Sequence, residues 1–184
     1  MSGAGSTPLR ARVFRRLLTS CERHFPAPLI RIELQLLLNA TARGFGVKGK
    51  RIWHRAPERA LAEYAGFTAA CMERVRGSAR AERLYEEAYA LGRKVQRVTG
   101  FTGKEERQRL VFLLYRGIGI AMNGSLPGEI TVSSCYFSTR YTEEQCALMS
   151  YMDSGVAAGI CGGSRLEFTE RLTEGCHCCR ATLS

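Results

Sequence analysis

The chain is predicted to adopt an α+β fold, an N-terminal helical bundle packed with a small antiparallel sheet and one further helix. Three observations predict it. Apolar residues recur at three-and-four spacing through the first two thirds of the sequence. From Ile130 the period changes to two. Between the alternating stretches lies a helix-opening signal, Thr142 followed three residues later by Gln145. With 184 residues of which 45% are hydrophobic, the chain is long enough for one packed core. It is therefore read as a flexible stretch 1–8 followed by a single domain, 9–184.

The elements follow in order. Leu9, Val13, Phe14, Leu17, Leu18, Cys21 and Phe25 mark a first amphipathic helix, with Cys21 as a core filler. "PAPLIRIELQLLLNATARGFG" reads as a second, started after its prolines and stopped by Gly44 and Gly46. A third spans Pro57 to Val75, with Cys71 on its apolar face, and a fourth spans Arg80 to Val98. A fifth begins near Lys104, with "LVFLLYRGIGIAM" as its buried part. "NGSLPG" is a turn. Beyond it Ile130, Val132, Ser134 and Tyr136 alternate with Thr131, Ser133, Cys135 and Phe137 as a strand would. The helix capped by Thr142 runs to about Ile160 and ends in "CGG"; "SRLEFTERLT" and "CCRATL" complete the sheet. Residues 9–125 are thus mainly helical, and 129–184 form a cysteine-rich β-α-β-β part.

Charge and hydropathy narrow the function classes. No stretch approaches the ~18 uncharged apolar residues of a membrane helix, and "MSGAGSTPLR" holds no apolar run, so a soluble cytoplasmic protein is expected. The net charge is +10, with +9 in residues 1–60 and −3 in residues 129–184. "RARVFRR" and "KGKRIWHR" therefore read as solvated basic surface, or as an attractor of small anions, and nucleic acid is disfavoured as a partner.

Six of the eight cysteines fall in the last 50 residues: Cys135, Cys146, Cys161, Cys176, Cys178 and Cys179. In a reducing compartment, clustered thiols point to a metal site or a reactive thiol before a disulfide. The inventory suffices for zinc, iron or an iron-sulfur cluster, with His177 as a further ligand, although the paired C-x-x-C knuckles of a zinc ribbon are missing. Asp153 is the single aspartate, against 16 glutamates, and lies mid-helix in "MSYMDSGVAAG". With Cys146, Ser150 and Ala157 it shares one helical stripe. A carboxylate there needs hydrogen bonds, a cation such as Arg165 or Arg171, or a proton, which suits a general base or substrate clamp as well as a structural ion pair.

In "SSCYFS", "SYMD" and "LTEGCHCCRATL" the chain resembles the L-2-amino-thiazoline-4-carboxylic acid hydrolase-like family. Its members carry a strand with a cysteine, a helix with C-x-x-D, and L-A-E-G-C-x-x-C before a last short strand, behind a helical N-terminal region. The resemblance covers residues 130–183; upstream, only helix content agrees. Cys135, Asp153, Glu174, Gly175, Cys176 and Cys179 match. Ser150 replaces the cysteine of C-x-x-D, Cys178 is an additional thiol, and Arg171 replaces a small residue.

The resemblance implies a hydrolase that adds water to the C=N carbon of a small carboxylate-bearing cyclic isothiourea and opens the ring. Asp153 would supply the base, a thiol or Glu174 the acid, and Arg171 or Arg140 the clamp, with Ser150 beside the substrate. Alternatively Cys135 or Cys176 attacks first, or a metal held by Cys135, Cys161, Cys176 and Cys179 polarises the water, with Cys146, Cys178 and His177 as further candidate ligands. A similar late cysteine pattern occurs in 4-vinyl reductase domains and in iron-using carotenoid isomerases. A metal or iron-sulfur enzyme, isomerase or redox, is therefore the alternative expectation. The expected partner is a small carboxylate substrate, and a homodimer is compatible with the sequence.

Overall fold

Prolines and glycines set the boundaries of the helical half. In the computed structural model, which describes residues 9–23, 25–74, 78–125, 128–163 and 165–183, five helices come first. They are α1 (Leu9–Arg23), α2 (Ala27–Phe45), α3 (Pro57–Arg74), α4 (Ser78–Thr99) and α5 (Lys104–Gly117). The expected flexible stretch 1–8 lies outside the described residues. Pro28 sits in the first turn of α2, where a missing N–H costs nothing. Gly46, at φ 68°, closes the helix by donating to Arg43 O at 3.0 Å while Val47 N–H reaches Ala42 O at 2.8 Å. Gly44 does not end α2. It is buried inside it, where a Cβ would lie 2.7 Å from Leu84 Cδ2.

The fifth helix is shorter than expected, and a strand replaces its end. After Gly117 the chain turns at Gly119, at φ 78°, and β1 (Ile120–Gly124) begins. β2 (Gly128–Cys135) returns antiparallel to it, and α6 (Glu143–Cys161) follows. The capping box of α6 forms as expected: Gln145 N–H donates to Thr142 Oγ1 at 3.2 Å, and Thr142 N–H to Gln145 Oε1 at 3.1 Å. β3 (Leu166–Glu170), a 3₁₀ turn at Leu172–Glu174, and β4 (Cys179–Leu183) end the chain. Alternation therefore stops at Glu170, and of "CHCC" only Cys179 lies in a strand.

The sheet has the order β1-β2-β4-β3, antiparallel throughout. Its inner face carries Ile120, Met122, Ile130, Val132, Leu166, Cys179, Ala181 and Leu183, all buried. These join Leu34, Leu38, Phe45, Leu84 and Phe101 of the helical half in one core, so helices and sheet share their packing in an α+β fold. Each fully buried side chain of this size contributes about 1.5–3 kcal/mol. Cys21 and Cys71 are buried core members, as expected.

Helices α4 and α6 pack closely. A Cβ on Gly155 would lie 2.5 Å from Tyr85 O, one on Gly159 2.5 Å from Tyr89 O, and one on Gly92 2.5 Å from Val156 O. Backbone meets backbone there, which fixes α6 and with it Asp153. Among the described residues no helix is long and apolar enough to cross a membrane.

Candidate functional site

Asp153 faces the interior. Together with Glu33 of α2, Tyr64 of α3, Tyr115 of α5, Cys135 of β2 and Cys146 of α6 it lines a cavity of about 70 Å³. Apolar side chains, among them Leu37, Ile120, Phe137, Met149 and Met152, make most of the remaining wall. At about 30 Å³ per water molecule, the space takes two waters or a small polar head group.

Among the described residues no cation pairs with the lone aspartate. Tyr115 Oη donates to Asp153 Oδ1 at 3.1 Å and lies 3.2 Å from Asp153 O. The two arginines considered as ion-pair partners are engaged elsewhere: Arg165 with Glu82, and Arg171 with Glu174 at 3.0 Å. Burial therefore dominates, and it raises the Asp153 carboxyl to about 6 against the Tyr115 hydrogen bond, which pulls it down. Burial likewise holds Glu33 well above the usual carboxylate range. Glu33 Oε2 is shielded from solvent and makes no hydrogen bond among the described residues. The Tyr64, Tyr115 and Tyr141 hydroxyls are pushed up by burial and, further, by the Asp153 charge. Tyr64 Oη lies 3.3 Å from Thr41 Oγ1, and Tyr141 Oη is hydrogen-bonded to Thr68 Oγ1.

The thiols of the cavity are protonated. Burial raises Cys135 to about 12, and it also raises Cys146. At pH 7 a thiol with that value is ionised to about one part in 10⁵, so Cys135 is a poor resting nucleophile. Both sulfurs feel the Asp153 charge, which places them around it.

A second group of expected residues meets one helical turn from Asp153. Arg171 Nε approaches Ser150 Oγ at 3.5 Å, its Nη1 donates to Glu174 Oε1 at 3.0 Å, and its guanidinium stands 5.3 Å from the Phe168 ring. Cys146 senses the charges of Arg171, Glu174 and Asp153, and therefore lies between this group and the cavity. Buried Cys179, whose Sγ accepts from Leu172 N–H at 3.3 Å, completes the neighbourhood; burial raises it, and it too senses Cys146 and Asp153.

Other expected members are not brought to this place. Cys161 ends α6, about 12 Å of helical rise beyond Asp153 and about 22 Å beyond Cys146. Its carbonyl accepts from Arg107 Nη1 at 3.0 Å, and burial raises its thiol to about 11. Arg140 is exposed, with its guanidinium 3.7 Å from the Tyr136 ring and Nη1 on Tyr136 O at 2.8 Å, so it does not line the cavity. Cys176 follows the 3₁₀ turn, its N–H on Arg171 O at 3.3 Å. Cys178 stands by exposed Arg180, and His177 is exposed. Of the set Cys135, Cys161, Cys176 and Cys179, Cys161 is thus held apart at the end of α6, while Cys176 stays beside Arg171. Among the described residues no three His, Cys, Asp or Glu side chains are grouped as metal ligands would be. All eight cysteines are free thiols.

Glu33, Tyr115 and Tyr64 were not singled out in the sequence. For Glu33 a signal exists: with Ile30, Leu34 and Leu37 it falls on the apolar spacing of α2, where a glutamate is out of place. For the tyrosines none does, because their role comes from contacts between elements far apart in the chain.

No protein-family model, no curated protein and no solved structure matches this chain.

Proposed function

We propose that the protein is a hydrolase of small cyclic amidines or isothioureas that bear a carboxylate, with Asp153 as the general base. The observation that supports this reading best is the Asp153 carboxyl itself: lining an apolar cavity, without a cation beside it among the described residues, held by Tyr115, and raised to about 6. At pH 7 such a group is about nine-tenths ionised, yet about a hundredfold more basic than an ordinary aspartate.

The chemistry follows from the arrangement. A cyclic amidine or isothiourea is a cation at neutral pH, and the described cavity lining offers carboxyl groups and no Lys, Arg or His. Only the cationic C=N edge of the ring, a head group of the size the cavity takes, reaches toward Asp153, while the substrate carboxylate stays with Arg171 and Ser150, one turn of α6 away. Asp153 takes a proton from water as the water oxygen bonds to the C=N carbon. Protonated Asp153 then returns that proton to the ring nitrogen as the carbon–nitrogen bond breaks and the carbon–oxygen double bond forms, the hydroxyl proton leaving on the released amine as ammonium, so the carboxylate is regenerated. Tyr115, fixed on Oδ1, leaves Oδ2 for the water. Cys135 and Cys146 form the wall as neutral thiols.

Ring opening of a panel of cyclic isothioureas and amidines, with and without a carboxylate, tests the reading by mass spectrometry. Asp153→Asn is expected to lower kcat by about 10²-fold or more. Arg171→Ala raises KM about 10- to 100-fold for the carboxylate-bearing members only, as loss of a charge-assisted hydrogen bond does. A native chain that opens no ring in the panel, or an Asn variant with unchanged kcat, refutes the proposal.

A further inference from the structure

Glu33 lines two spaces. Beyond the Asp153 cavity, across a wall made by Glu33, Leu37, Leu114 and Val156, lies a groove of about 320 Å³ between α1, α2, α4 and α5. That volume is in the range of small-molecule sites. Its described lining is apolar apart from Glu33, Lys94 and Thr99, with Phe14, Phe25, Val95 and Leu110 among its walls. At the rim Leu29, Ile32, Leu36 and Val98 are 39%, 53%, 36% and 52% exposed. Four large aliphatic side chains around one concavity are an exposed apolar patch that calls for an occupant.

The buried end of the groove is specific. Glu33 Oε2 is sealed from solvent without a hydrogen-bond partner among the described residues, and such a group costs stability unless something supplies a donor. Oε2 is packed beside Gly117 and the Phe25 ring: a Cβ on Gly117 would lie 3.1 Å from Oε2 and 2.8 Å from Phe25 Cε1. Exposed Lys94 is not ion-paired with Glu33, although both line the groove. An amine satisfies Glu33 in either proton state, as ammonium on carboxylate or as free base on carboxylic acid. A carboxylate ligand would meet like charge there.

We propose that this groove binds an amphiphilic amine, its apolar body between α1, α2, α4 and α5 and its nitrogen on Glu33. Binding is independent of any chemistry at Asp153. Calorimetric titration of the full chain with octylamine, octanol and octanoate, each below its micelle concentration, tests it. Octylamine is expected to fill one site at least about tenfold more tightly than octanol, with octanoate weakest. Glu33→Gln brings octylamine to the level of octanol and leaves octanol unchanged, which also reports an intact groove. Glu33→Asp, with its carboxyl withdrawn by one methylene, weakens octylamine alone. Equal affinity for amine and alcohol, octanoate binding most tightly through Lys94, or an amine preference that survives Glu33→Gln would each overturn the proposal. So would the absence of saturable octylamine binding, and a sedimenting dimer beside it would mean that a second copy covers the face.

Discussion

Replacing Asp153 by Asn should change how stability depends on pH, by an amount the geometry sets. The carboxyl is raised from 3.8 to about 6 in the folded protein, chiefly by burial. The folded state therefore holds the proton more tightly than the unfolded one. The resulting stabilisation is fully present below about pH 4, where both states are protonated, and is lost as pH rises through about 6. About two units correspond to an upper limit of about 3 kcal/mol. For a chain of this size that is about 6–12 °C in Tm. The Asn variant has no proton to lose. Its amide brings a donor without a partner, which costs about 1–3 kcal/mol at every pH, so absolute stability is not diagnostic. The diagnostic is the difference in Tm, variant minus native, followed by calorimetry from pH 4 to pH 7.5. That difference should grow with pH by several degrees. Glu33 titrates in both proteins and cancels. A difference that stays flat across the range would mean that Asp153 is solvated or paired with a cation in the folded state, and the base assigned to the cavity would be an ordinary carboxylate.

Gly159→Ala should cost about 1–3 kcal/mol, or about 2–12 °C in Tm, because its Cβ would meet backbone on α4 at 2.5 Å, at Tyr89 O. Gly66→Ala, within α3 with nothing inside 4 Å of its Cβ, should instead raise Tm slightly; a melting scan in which both behave alike would contradict the α4–α6 seam. Under iodoacetamide at pH 8, Cys71, Cys135, Cys146, Cys161 and Cys179, whose thiols burial holds up, should react by peptide mass mapping only after Cys176 and Cys178, as should buried Cys21. Early modification of Cys135 would instead mark it as an activated nucleophile.

The helices were legible because amphipathic spacing is local, and the α6 capping box because both its residues lie within one turn. β1 was not, since "IGIAM" is apolar at either period and only the backbone at Gly119, at φ 78°, separates strand from helix. Asp153 was legible for chemical reasons: a single aspartate in an apolar helix has few comfortable surroundings. Its partner was not, since Tyr115 reaches it across 38 residues of sequence. A count of sulfurs carries no geometry. Cys146 and Cys161 are near in sequence, but the 19-residue helix that carries both holds them at opposite ends.

A substrate of the proposed class can enter this site in one orientation. The cavity end offers two carboxyl groups and three tyrosine hydroxyls; the Ser150 end offers the Arg171 guanidinium, already half-neutralised by Glu174. A zwitterion reversed between them would put its carboxylate against Asp153 and its cation against Arg171, two like-charge contacts at low dielectric in place of two favourable ones. Ser150 and Asp153 lie about 4.5 Å apart in helical rise, a span that suits a ring carbon and a carboxylate on adjacent sides of a five-membered ring. Ser150 holds the Arg171 end of that span, so enlarging it shortens the span and removes its contact with the Arg171 guanidinium while leaving the Asp153 carboxyl in place. Ser150→Leu should therefore raise KM for carboxylate-bearing rings while Asp153 keeps its raised carboxyl, and the two readouts together separate the fit of the substrate from the strength of the base.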